Sequence, residues 1–215
     1  MKSRVLFLLR FYLLTVAVFM VAKWGFMLCN HAEASFSFGD MMEVWWHGLS
    51  LDLSTALYFF ALPFLMMMAG MWLTLPKWLV KSYYAFLSIA FALAFVSDTS
   101  MYAFWHFKLD AAWLQYLETP TEAMASVTTG YLVMRALVVI ILTILLFLSY
   151  NRVVGMPAFK RGTWKELMFY VVLLPLIVIG IRGGLGESTT NTGQAYYSQN
   201  QFLNHSAVNP IFSST

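Results

Sequence analysis

Long apolar runs constrain this chain more than any other feature. Five stretches, at residues 5–28, 51–75, 82–103, 131–150 and 164–181, approach or reach the roughly 17–25 residues a helix needs to cross the hydrocarbon core of a bilayer. Lipid offers no water to a backbone N–H or C=O, so each run must be helical. Only 11% of the 215 residues are charged, against about 25% in soluble domains. The expected fold class is an all-α membrane protein: five transmembrane helices, short extracytoplasmic amphipathic helices and an extended C-terminal ribbon. The first run resembles a signal peptide with Ala32-Glu33-Ala34 downstream. Its apolar core exceeds the usual length of about 7–15 residues, so it is expected to stay as the first helix.

Local chemistry marks several helix starts. Ser50 is expected to cap the second helix, with Asp52 in its first turn. Thr163 to Glu166 has the form of a capping box, as does Thr119 to Glu122, where Pro120 occupies the first helical position and predicts a short outer helix. Pro63 and Pro175 fall inside spans and predict two kinks buried in the bundle, where neighbours re-satisfy the freed carbonyl.

Loop charges alternate in sign. Lys2, Arg4 and Arg10, then Lys77 and Lys81, then Arg152, Lys160, Arg161 and Lys165 fall on one side. Glu33, Asp40, Glu43, Asp110, Glu118 and Glu122 fall on the other, with Lys108 as the one base among them. The positive-inside rule places the N-terminus in the cytoplasm, and five crossings carry the C-terminus outside. The basic residues, spread through loops, report orientation and give no reason to expect nucleic acid. Tyr102, Trp105, Leu109, Trp113 and Tyr116 recur at helical spacing in residues 101–118, and Trp45 and Trp46 precede the second span. Trp45, Trp46, Trp105 and Trp113 are read as interface anchors.

No catalytic signature is visible: neither G-x-S-x-G, H-E-x-x-H nor a phosphate-binding glycine loop occurs. Cys29 is alone, and His106 with Asp110 is too small a set for a metal, so no metal site is expected. Lys23, Asp52, Asp98 and Arg135 are the ionisable residues nearest the outer ends of the spans. Charges there either pair or snorkel, or they line a polar pocket that contacts a phospholipid headgroup.

After Gly183-Gly184 the tail is polar, yet Tyr196, Tyr197, Phe202, Leu203, Val208 and Phe212 are spaced along it as anchors. It is expected to be a linker, residues 182–215, that follows the membrane domain, residues 1–181. Asn204-His205-Ser206 has the form of a glycosylation acceptor.

The run RGGLGESTTNTGQAYYSQNQFLNHSAVNP, with Arg182, Asn209 and Pro210, resembles the junction after the fifth span in the lipoteichoic acid synthase family. GLSLDLSTALYFFALP and SDTSMYAFWHFKLDAAWLQYLETPTEAMAS are similar to the same family, especially its sulfatase branch. The resemblance covers essentially the whole chain. It implies the anchor and positioning region of a sulfatase, or of a phosphoglycerol or phosphoethanolamine transferase, in the bacterial cytoplasmic (inner) membrane. It also implies an extracytoplasmic catalytic domain beyond residue 215, with a threonine nucleophile and a divalent metal such as manganese. No catalytic residue and no cofactor is carried over to this chain, and the implied partners are membrane phospholipid and that domain. The alternative is a self-contained lipid-binding or scaffold protein. A small transporter needs polar groups near the midplane, whereas the charges of this sequence cluster at the outer edge of the spans.

Overall fold

The computed structural model describes residues 2–32, 35–105, 128–157, 159, 161–185 and 189–213. Five long helices organise it: α1 (Lys2–Cys29), α2 (Phe38–Ala69), α3 (Lys77–Trp105), α4 (Thr129–Ser149) and α5 (Trp164–Arg182). All five are long and apolar enough to cross a membrane, so the chain reads as a multi-pass membrane protein. The expected capping helix at Thr119 to Glu122 lies outside the described residues. The rim carrying Cys29, Thr129 and Arg182 is called upper here, and the rim carrying Lys2, Ala69 and Trp164 lower.

α1 is the hub. Phe7, Phe11, Thr15, Phe19 and Lys23 form a buried stripe at four-residue spacing, the period that keeps one face on a neighbour. Lipid tails are as apolar as the side chains, so close packing rather than exclusion of water must hold such helices together. Rings supply that packing: Phe19 meets Phe91 at 5.2 Å, and Phe11 meets Tyr150 at 5.5 Å. No residue of α4 is fully buried, as suits the most apolar of the five spans.

α2 corrects the expected start at residue 51. It begins at Phe38, capped by Ser37, whose hydroxyl accepts from the Asp40 N–H while the Asp40 carboxylate accepts from the Ser37 N–H at 2.6 Å. That box lies upstream of the apolar run, so hydropathy passed over it. Ser50 therefore sits mid-helix, and Asp52 is not in a first turn. Pro63 is buried within α2, as expected. It cannot donate to the Phe59 carbonyl one turn back; the Tyr83 hydroxyl of α3 donates there instead, at 2.6 Å. Pro175 corrects the other expectation. It is exposed, because the buried stripe of α5 runs through Glu166, Tyr170 and Ile177.

Both ends of α5 follow local rules. Thr163 caps its start, accepting from the Glu166 N–H. Gly183, at φ 91°, ends it in the left-handed conformation that favours glycine. α4 closes in a π turn over Tyr150–Val154. There the Thr15 and Tyr150 hydroxyls share a hydrogen bond of 2.9 Å that joins α4 to α1.

The tail departs from an extended ribbon. It forms a 3-10 turn (Thr192–Ala195) and two short helices, α6 (Gln201–Ala207) and α7 (Pro210–Ser213). Its anchors find their surface on the bundle itself: Phe202, Leu203 and Val208 share a core with Phe26, Val44 and Leu51.

Candidate functional site

The upper rim holds a buried polar cluster built from three elements. Lys23 of α1 and Asp52 of α2 form an ion pair with Nζ and Oδ2 2.7 Å apart, and their side chains are 1% and 0% exposed. The second Asp52 oxygen accepts from the Asn209 side-chain amide at 2.9 Å, and that amide also reaches the Thr55 hydroxyl at 3.3 Å. Asn209 Oδ1 accepts from the Phe212 N–H at 2.8 Å. Asn209 is thus the N-cap of α7, with Pro210 at the first helical position. Gly48 makes the approach possible: a Cβ there would collide with Lys23 Nζ and the Ala207 carbonyl oxygen. Charges taken out of water must be paired and hydrogen-bonded, and both conditions are met here.

A second amide organises the tail before this clamp. Asn204 Oδ1 accepts from the Tyr197 and Ser198 N–H groups, and its Nδ2 donates to the Ser198 carbonyl at 2.7 Å. With its head occupied and the residue buried, Asn204 is unavailable as a glycosylation acceptor, which corrects that reading. Tyr197 stacks on His47 with ring centroids 4.2 Å apart. Burial, reinforced by the Glu43 and Asp40 carboxylates, pushes its phenol up to about 12. It therefore stays neutral and acts through its ring.

The four ions expected at one headgroup contact are divided. Lys23 and Asp52 are brought together but turned on one another, sealed from any headgroup. Asp98 is buried in α3, four residues before Tyr102 on the same face. Tyr102 is no belt residue either; it is buried against Phe26 at 4.9 Å. Arg135 lies elsewhere, lining a groove of about 510 Å³ between α1, α3 and α4. Among the anchors, Trp46 is 67% exposed and Trp45 half-buried; Trp105 ends α3, and Trp113 lies outside the described residues. Arg182 is exposed beside a cleft lined by Tyr58 and residues 189–192.

At the lower rim a second pair passed unnoticed in the sequence. Arg4 Nη1 lies 2.7 Å from Glu166 Oε2, and Nη2 reaches the Gly70 carbonyl at 3.4 Å. Arg4 counts as a topology charge by position, and nothing local to it signals a partner 162 residues away. Thr55 and Gly48 were missed for the same reason.

No three His, Cys, Asp or Glu side chains converge among the described residues. The Lys23 amine lies against the Asp52 carboxylate and is closed off from solvent, an arrangement that suits a clamp. No family model, curated protein or solved structure matches the chain.

Proposed function

We propose that this chain is the membrane anchor and positioning region of a lipoteichoic acid synthase-like enzyme, a sulfatase or phospholipid-headgroup transferase, in a bacterial inner membrane. In this reading the N-terminus is cytoplasmic, the tail is extracytoplasmic, and a catalytic domain on the same polypeptide supplies the nucleophile and the divalent metal. The Asn209–Asp52 contact is the observation that supports it most. It fixes the tail to the membrane bundle within a few residues of Thr215, so a domain borne there would stay at headgroup level. Tethering of this kind raises the effective concentration of a membrane substrate without adding a contact.

The test uses the intact product of the reading frame, purified beside the 215-residue chain. The intact product should release phosphoglycerol or phosphoethanolamine from a phospholipid, or cleave a sulfate ester, and the shorter chain should do neither. An inert intact product, or an active 215-residue chain, would overturn the reading. A second reading, a self-contained lipid-binding membrane protein, is favoured by the groove beside Arg135.

A further inference from the structure

The groove between α1 and α4 is apolar along its length and ends at one cation. Its α1 wall carries Ala17, Ala22 and Gly25, small residues that leave space, and α3 contributes Phe95, Val96 and Thr99. A Cβ built on Gly25 would meet nothing within 4 Å. From Ser149 at the lower end to Arg135 at the upper, the α4 wall rises through 14 helical steps, or about 21 Å at 1.5 Å per residue. One leaflet of hydrocarbon is about 15 Å deep. The groove therefore has the length for an acyl chain.

The polar groups along it are mostly spent. The Thr99 hydroxyl donates to the Phe95 carbonyl at 2.8 Å, and the Ser149 hydroxyl to the Leu145 carbonyl at 2.8 Å. Arg135 differs. It lies six residues inside the upper end of α4, its guanidinium rests 4.9 Å from the Tyr131 ring centroid, and its buried Nε has no hydrogen-bond partner among the described residues. Tyr131 is one turn nearer the rim, so the side chain reaches upward, as a snorkelling arginine does. A cation this close to hydrocarbon calls for an anion. A guanidinium fork matches phosphate oxygens better than any other side chain does.

We propose that this groove binds one net-anionic phospholipid, with an acyl chain between α1 and α4 and the phosphate on Arg135. The site is separate from the Lys23–Asp52 clamp and stands whether or not a catalytic domain follows residue 215. Arg135 supplies charge selectivity, and the small residues of α1 supply room.

The test is native mass spectrometry of the purified chain in detergent micelles, titrated with phosphatidylglycerol or with phosphatidylcholine of the same acyl chains. The first should bind as a single tight equivalent with roughly fivefold preference over the second, the ratio expected for one arginine beside an anionic headgroup. Arg135→Gln should abolish the preference while leaving residual binding. Gly25→Leu projects into the groove, where its Cβ has free space, and replaces glycine with a better helix former. It should weaken both lipids with Arg135 intact and the unfolding temperature unchanged or higher. Equal binding of the two lipids, a preference surviving Arg135→Gln, or undiminished binding by a folded Gly25→Leu would each overturn the proposal.

Discussion

Asn209 joins two tasks that are usually separate. Its oxygen caps the helix at the end of the tail, while its amide satisfies a buried carboxylate 157 residues earlier. Asp52 in turn answers a lysine that has left water. Removing one member of such a pair strands the other, at a cost of about 3–5 kcal/mol. Replacing both by apolar residues of similar size is close to neutral. Asp52→Ala should therefore lower the midpoint of thermal unfolding in detergent sharply, and the double variant Lys23→Met with Asp52→Leu should recover most of the loss. Asn209→Ala should cost about 2–3 kcal/mol, for a hydrogen bond to a charge and a helix cap, and should expose the tail to protease before the bundle melts. A double variant no better than Asp52→Ala alone would show that the ion pair is not what couples these positions. Depth along the helices was readable for Lys23 and Asp52, because a cation and an acid near the ends of apolar runs have few places to go. That they face each other was not readable, since helix rotation is set by packing and no residue nearby in sequence records it.

Among the elements, α2 and α3 show how a proline is accommodated in a span. Pro63 leaves the Phe59 carbonyl without its helical donor, and Tyr83 provides one from the next helix. Tyr83→Phe should cost about 1–3 kcal/mol, the penalty for a buried acceptor left unsatisfied. In a Pro63→Ala background the helix restores its own N–H, and the same change should cost clearly less. Equal losses in the two backgrounds, measured by unfolding in micelles, would sever the link between proline and tyrosine. The existence of all five spans was legible from apolar runs, because a bilayer imposes length and polarity so strictly. The boundaries were less so. α2 continues to Phe38 because Ser37 and Asp40 cap it there, through a stretch too polar for a hydropathy window to join to the span. The tail was misread as a ribbon because its short helices carry too few apolar residues to show a period. They form against Phe26, Val44 and Leu51, which the sequence places far away.

At the scale of the molecule, the two ion pairs bracket the bundle. Arg4 and Lys23 are 19 residues apart on one helix, which is about 28 Å at 1.5 Å per residue. A hydrocarbon core is about 30 Å thick. If the pairs mark where water begins, the bundle is matched to a hydrocarbon core of ordinary thickness. Reconstituted into membranes of graded acyl length, the protein should unfold at its highest temperature near that thickness and lose stability in both thinner and thicker ones. A stability that rose steadily with thickness would mean the pairs do not mark the boundaries.

The unbroken run of α2 carries a mechanical implication. This 32-residue rod meets the Asn209 hook at Asp52 near one face and ends at Gly70, whose carbonyl Arg4 grips at the other. A tug on the tail would run down that rod toward the opposite rim, past Pro63 and the Tyr83 hydroxyl that braces it.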